Sequence, residues 1–293
     1  MQSSKRFGLS CALALPLKDH FDIDYVRLKT HARRCLEAGC SSVTVFGTTG
    51  EGASVSLAER EKILDALLAA GINLRHQVLG GVAAASVGDA VEQARVLIDR
   101  DCRGVLLAPP FYFKDVTDEG LYGWFSQVFE MIGQQAQDII LYHIPSVTEV
   151  ALSVSLISRL KAAFPYVVKG VKDSGTDWGH TENLLRVHDD LLILIGNERH
   201  LASGVRLGAQ GAISGLANLC PEILLKLIET GEEDSRIVAL VIEILKFPFT
   251  PAVKALLAHR QKDPAWLYVR PPLEALSEAE AARLAHAYDG IVA

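Results

Sequence analysis

Five short segments carry residue types that could do chemistry. Val168-Lys169-Gly170-Val171-Lys172-Asp173 ends a strand-like run on a lysine. Lysine is rarely fully buried unless it is paired or functional. At the end of a strand it can be partly desolvated, leaving an amine free to attack a carbonyl. Lys172 is that candidate, whereas Lys169 falls on the other side of the strand and reads as a side chain snorkelling between strand and helix. Tyr142 lies in the apolar run Leu141-Tyr142-His143-Ile144-Pro145, where its hydroxyl needs a partner, either structural or in a site. His143 follows it and should point to the opposite face, toward a structural hydrogen bond. Gly47-Thr48-Thr49-Gly50-Glu51-Gly52 is a tight turn whose consecutive amides and two hydroxyls can hold a carboxylate or phosphate, although a plain turn has the same composition. Pro109-Pro110-Phe111-Tyr112-Phe113-Lys114 is an aromatic cluster, whose ordinary use is packing. Gly196-Asn197-Glu198-Arg199-His200 offers Glu198 as a hydroxyl ligand or a helix-start acid, and Arg199 as a solvent-facing or anion-binding cation.

These segments need a frame that aligns them. Eight apolar runs read as strands: Leu9–Leu15, Ser42–Phe46, Gln77–Val82, Gly104–Ala108, Ile139–Ile144, Val167–Lys172, Leu191–Ile195 and Gly211–Ser214. They are near-continuous rather than alternating, which suits parallel strands covered on both faces. Amphipathic stretches such as Tyr25–Ala38 and Leu57–Ala70 separate them, and Ser56 with Glu59 reads as a capping box. The expected fold is a (β/α)₈ TIM barrel over residues 1–220, with a C-terminal helical region, 221–293, packed on it. An open doubly wound sheet is the alternative, but no Gly-x-Gly-x-x-Gly fingerprint follows the first strand. In a barrel the chemistry stands at the C-terminal ends of the strands, where the five segments fall. Helices are expected at Glu222–Glu229, Ser235–Leu245, Pro251–His259 and Ser277–Tyr288, with interruptions at Pro248, Pro251, Pro264 and Pro271-Pro272.

Composition narrows the function classes. A chain of 293 residues with 49% hydrophobic and 22% charged residues is that of a soluble globular protein. The formal charge of −6 and the lack of a Lys/Arg run argue against nucleic-acid binding. The apolar stretch Leu9 to Leu17 breaks at Pro16, too short for a membrane span, so a cytoplasmic location is expected. Five cysteines without a Cys-x-x-Cys pair read as buried free thiols. Nine histidines show no His-x-x-x-His spacing, and His188-Asp189-Asp190 falls at the wrong end of a strand for chemistry, so a metal-dependent aldolase is disfavoured.

Read in order, Gly47-Thr48-Thr49-Gly50-Glu51, Pro110-Phe111-Tyr112, Tyr142-His143-Ile144-Pro145, Gly170-Val171-Lys172-Asp173 and Gly211-Ala212-Ile213-Ser214-Gly215 resemble the pyruvate-dependent class I aldolase family that includes dihydrodipicolinate synthase and N-acetylneuraminate lyase. The resemblance runs through Pro271-Pro272-Leu273. It implies that Lys172 forms a Schiff base with C2 of a 2-oxo acid and that the resulting enamine makes or breaks a bond at C3. Tyr142 would shuttle protons, and Thr48 would link it to Tyr112, which in this family reaches a neighbouring subunit's site. Gly47, Thr48 and Thr49 would hold the substrate carboxylate, and Ile213 would line the pocket. The implied partners are pyruvate and an aldehyde, in a homotetramer or homodimer. No metal and no cofactor is called for.

The sequence departs from the family pattern beside Tyr142. Dihydrodipicolinate synthases carry an arginine two residues after the proline of a Tyr-Asn-x-Pro segment, to grip the aldehyde's carboxylate. Here that position is Val147, the Asn is His143, and a Gly just beyond is Glu149. Valine has no bidentate donor, so the distal pocket should disfavour a second carboxylate and take a neutral hydroxyaldehyde through Glu149, Glu198 or Ser214. Arg199 is the residue to suspect if an acid is accepted. Acidic residues after strand seven bind sugar hydroxyls in the neuraminate lyase branch, so the resemblance makes Glu198 a candidate polyol contact, beside its reading as a helix-start acid. The expected activity is that of a 2-keto-3-deoxy sugar acid aldolase, or a dehydratase on the same scaffold. Dihydrodipicolinate synthase is the alternative. A non-catalytic 2-oxo acid binding protein is the other, and it would have no need of Lys172, Tyr142, Tyr112 and Thr48 together.

Overall fold

The structure, a computed structural model, describes residues 6–292. Eight parallel strands pair in sequence order and close on themselves: β1 (Gly8–Ala12), β2 (Ser42–Val45), β3 (Val78–Val82), β4 (Gly104–Leu107), β5 (Ile139–His143), β6 (Val168–Asp173), β7 (Leu192–Ile195) and β8 (Gly211–Ser214). Helices cover the outside, which is why the strands are apolar on both faces. The chain is a TIM barrel with additional C-terminal helices.

Alternation along the strands divides the core in two. Leu9, Cys11 and Val43 face outward against the helices, in a cluster that includes Leu28, Ala32 and Ile63. Ala12, Ile140, Tyr142, Leu194 and Ile213 fill the barrel interior together with Phe7, whose ring is stacked by Arg103 at 4.3 Å.

Some element ends differ from the sequence pattern. β1 stops at Ala12; the Leu13 amide still donates to the Thr44 carbonyl of β2, but the Ala14 amide turns to Asn218 Oδ1. Gln77 ends a short helix, Leu74–Gln77, capped by Asn73, and β3 starts one residue later. Pro251 does not interrupt its helix, Phe249–Gln261. It lies in the first turn, where the missing N–H has no intrahelical acceptor to lose. The capping box at Ser56 is formed, with both reciprocal hydrogen bonds.

After β8 the helix Pro221–Thr230 packs on β1, followed by Ser235–Ile244, Phe249–Gln261 and Glu278–Val292. Phe249–Gln261 is buried from Thr250 to Ala258, so it is an interior element rather than an amphipathic cover. No described helix is long and apolar enough to cross a membrane. Four of the five free cysteines are buried, and burial pushes the thiols of Cys40, Cys102 and Cys220 up to about 12.

Candidate active site

Tyr142 on β5 and Lys172 on β6 are register partners, side by side at the C-terminal end of the barrel. Lys172 Nζ donates to Tyr142 Oη at 3.0 Å and lies 4.2 Å from the ring centroid. Both side chains are buried, at 5% and 6% exposure. Their neighbour Gly196 must lack a side chain, because a Cβ there would stand 2.0 Å from Ser174 Oγ and 2.9 Å from Lys172 Cε. Lys169 is exposed at an irregularity of the β5–β6 register, where Ile139 pairs with Val168 and Ile140 with Gly170.

The turn after β2 faces this pair. Phe46 and Glu51 take left-handed backbone conformations (φ 60° and 52°), an arrangement that costs free energy in non-glycine residues and must be held by its surroundings. Gly52 approaches the Phe46 carbonyl so closely that a Cβ would lie 1.8 Å from its oxygen. Much of the support comes from the far end of the chain. Lys254 Nζ donates to Glu51 Oε1 at 2.6 Å, the Arg270 amide donates to Glu51 Oε2 at 2.7 Å, and Thr250 Oγ1 donates to the Thr48 carbonyl at 3.1 Å. Buried Arg60 donates to the carbonyls of Gly52 and Gly81 from beneath. Among the described residues, the Thr48 and Thr49 amides donate to no backbone acceptor.

Two adjoining cavities open here, of ≈ 190 Å³ and ≈ 290 Å³, sharing Thr48, Tyr142, Ile144 and Val147 as lining. The smaller holds Lys172, Thr49, Ile213, Glu198 and Arg199 as well, and Gly47 borders the larger. Val241, Leu245 and Phe249 close the smaller one, so the C-terminal helices supply part of its wall. Tyr112 is 72% exposed, lines neither cavity, and packs edge-on against Phe113 at 5.2 Å. Within one chain, Thr48 and Tyr142 are therefore brought together and Tyr112 is not.

Charges at the cavity differ from the sequence pattern in two respects. Glu149, expected to offer hydrogen bonds at the mouth, turns toward Lys114 Nζ (3.6 Å) and lines neither cavity, because its left-handed backbone (φ 54°) ends the short helix Pro145–Thr148. Glu198 is buried and accepts from Ser214 Oγ at 2.5 Å and from the Leu216 amide at 3.5 Å, so its carboxylate is directed into the β8 loop. Arg199 lines the smaller cavity, which puts a cation in the same cavity as Val147.

Behind Lys172, on the outer face of the sheet, lies a group that the sequence does not announce. His143 and Asp173 are register partners, and the helix Trp178–Val187 adds His180 and Thr181. The two imidazoles stack at 4.1 Å. His180 contacts two oxygens, Asp173 Oδ2 at 3.0 Å and the Leu152 carbonyl at 2.9 Å, while His143 Nδ1 accepts from the Leu152 amide at 3.0 Å. Thr181 Oγ1 and the Gly175 amide also donate to Asp173. Burial holds His143 down to about 4, which keeps its ring neutral. For His180, burial opposes the charge, but Asp173 and the Leu152 carbonyl outweigh it and raise the value. For Asp173, burial is likewise outweighed, here by His180, His143 and the Gly175 amide, and its carboxyl is held low. Only the order of the strands and the docking of the next helix bring these residues together. The pair His143 and Asp173 at matching strand ends was the one available sequence signal.

Comparison with known proteins places the chain. The model of the dihydrodipicolinate synthetase family matches residues 5–289. An uncharacterised DapA-like lyase of Chloroflexus aurantiacus is 31% identical over 98% of this chain and 97% of its own. The crystal structure of dihydrodipicolinate synthase from Agrobacterium tumefaciens superposes with a TM-score of 0.96 at 51% identity, covering 98% of this chain and 100% of that one. A variant of the 2-keto-3-deoxygluconate aldolase of Sulfolobus solfataricus shares the fold, with a TM-score of 0.83 at 21% identity over 97% and 96% of the two chains. With a match along almost its entire length, the chain belongs to the dihydrodipicolinate synthetase family.

Proposed function

We propose that this protein is a lysine Schiff-base lyase acting on a hydroxylated 2-oxo acid of the 2-keto-3-deoxy sugar acid type, releasing or using pyruvate. The observation that carries the reading is the buried Lys172 Nζ at 3.0 Å from Tyr142 Oη, at the mouth of the barrel. The amine attacks the C2 carbonyl and loses water to give an imine, and Tyr142 relays the protons that this requires. As the C4 hydroxyl gives up its proton and becomes an aldehyde carbonyl, the C3–C4 bond breaks and its electron pair passes to the cationic imine; the aldehyde leaves, and the enamine is protonated at C3 and hydrolysed to pyruvate. If the imine instead loses a C3 proton with the C3–C4 bond intact, the enamine of the whole substrate can expel the C4 hydroxyl, which leaves as water on protonation, and the enzyme would be a dehydratase. The Thr48 and Thr49 amides would hold the C1 carboxylate, and Ile213 gives the pocket its apolar side. Tyr112 would complete the proton relay of a neighbouring subunit in a dimer or tetramer.

A second reading, condensation of pyruvate with aspartate semialdehyde, is favoured by the 51% identity to the Agrobacterium protein named a dihydrodipicolinate synthase. The deciding experiment is borohydride trapping of the enzyme with pyruvate, followed by mass spectrometry and a turnover screen. An adduct on Lys172, with cleavage of 2-keto-3-deoxy sugar acids faster than condensation with aspartate semialdehyde, supports the first reading. Faster condensation supports the second, and no adduct removes both.

A further inference from the structure

Arg199 stands in the cavity that holds Lys172, and its own neighbours leave its charge unspent. Its backbone amide and Nε both donate to Asn197 Oδ1, at 3.3 and 3.2 Å. Asn197 is buried, and its Nδ2 donates to the Gly175 carbonyl at 3.0 Å, three residues beyond Lys172. The guanidinium is thus held by a buried amide that is itself anchored to the β6 loop. Its two terminal nitrogens make no hydrogen bond, and no carboxylate lies within ion-pair distance among the described residues. The adjacent Glu198 makes no ion pair with it and accepts instead from Ser214 Oγ and the Leu216 amide. An arginine whose Nε is tied back presents its terminal N–H groups outward, the geometry that takes an oxyanion in bidentate fashion.

We infer that Arg199 determines specificity, and that the 2-oxo acid of this enzyme carries a second oxyanion, a carboxylate or a phosphate, at the end remote from its carbonyl. The inference rests on the reading of Lys172 as the imine-forming residue. The first carboxylate of the substrate belongs with Thr48 and Thr49, so a chain ending in a neutral group would leave the Arg199 fork without a partner. Ser146, Ser174 and Thr176 line the same cavity and suit hydroxyls along the chain. Val147 then needs no replacement by arginine, because the cation comes from the loop after β7.

The test uses imine trapping with ligands matched in length, so that turnover is not required. Wild-type enzyme and Arg199→Gln are titrated with 2-oxoadipate, 2-oxohexanoate and 2-oxo-5-phosphonopentanoate, and the borohydride-trapped Lys172 adduct is quantified, with pyruvate as reference. The wild type should favour at least one dianionic ligand over 2-oxohexanoate by roughly 10- to 100-fold in half-saturating concentration, the range of a charged hydrogen-bonded contact. Which one it favours separates carboxylate from phosphate. In Arg199→Gln that ratio should fall close to one, and Arg199→Lys should be intermediate because it keeps charge and loses the fork. Equal trapping of charged and neutral chains by the wild type, or an undiminished ratio in Arg199→Gln, overturns the inference while a pyruvate adduct leaves the Schiff-base reading standing. Failure to trap pyruvate on Lys172 overturns the reading and the inference with it.

Discussion

Lys254 and Glu51 form an ion pair of 2.6 Å in which neither side chain is exposed to solvent. The pair joins an interior C-terminal helix to the turn that carries Thr48 and Thr49, and the Arg270 amide takes the other carboxylate oxygen. Burial by itself drives the Lys254 ammonium down, and Glu51 opposes that shift. Lys254→Ala would leave a buried carboxylate without its cation, and should destabilise the protein by about 3–5 kcal/mol. Urea denaturation checks this, and an unchanged midpoint would show that the pair contributes nothing net. In the folded fraction, a loosened Thr48 turn should raise KM for pyruvate more than it lowers kcat.

Lys172→Ala and Lys172→Arg should both abolish borohydride trapping and turnover while circular dichroism stays that of the wild type. Arginine keeps the charge but offers no nucleophilic amine. Wild-type trapping by either variant would mean that another residue, with Lys169 first in line, is the nucleophile.

Tyr142→Phe removes the hydroxyl to which Lys172 Nζ donates at 3.0 Å and should slow turnover by roughly 10²–10⁴. Binding of the 2-oxo acid should persist. Unchanged kcat would take Tyr142 out of the mechanism.

The stacked histidines imply a stability maximum in pH. The unfolded chain protonates His143 near 6.5, whereas in the folded protein it does so only at about 4, so stability falls as pH drops through that window. His180 is shifted the other way, so its contribution is complete below about 6.5 and is lost as pH rises through its folded value. Denaturation midpoints across a pH series should peak around 6.5. His143→Asn should weaken the acid-side decline, and His180→Asn the alkaline-side decline; a flat profile in the wild type would contradict both shifts.

Tyr112 and Phe113 are 72% and 73% exposed in the single chain, an aromatic pair large enough to be covered in an assembly. Sedimentation should give a homodimer or homotetramer, and Tyr112→Phe should reduce kcat less than Tyr142→Phe. A fully active monomer at working concentration would refute the subunit arrangement.

Several features were legible along the chain because they are local. The alternation of apolar runs with amphipathic stretches is set by burial on two faces or one, and it defines the barrel. Ser56 and Glu59 meet because three residues of helix bring them together. Lys172 and Tyr142 could be assigned to strand ends from the runs they terminate, and closure in sequence order makes β5 and β6 neighbours. What tertiary structure alone decided are partners chosen by docking. Lys254 lies 203 residues from Glu51, and no pattern in either segment specifies the other. The same holds for His180 against Asp173 and Leu152, for Val241, Leu245 and Phe249 as cavity wall, and for Glu149 turning away to Lys114. Backbone periodicity is written in near neighbours, whereas the partner of a buried charge depends on which distant surface fills the space beside it once the helices have packed.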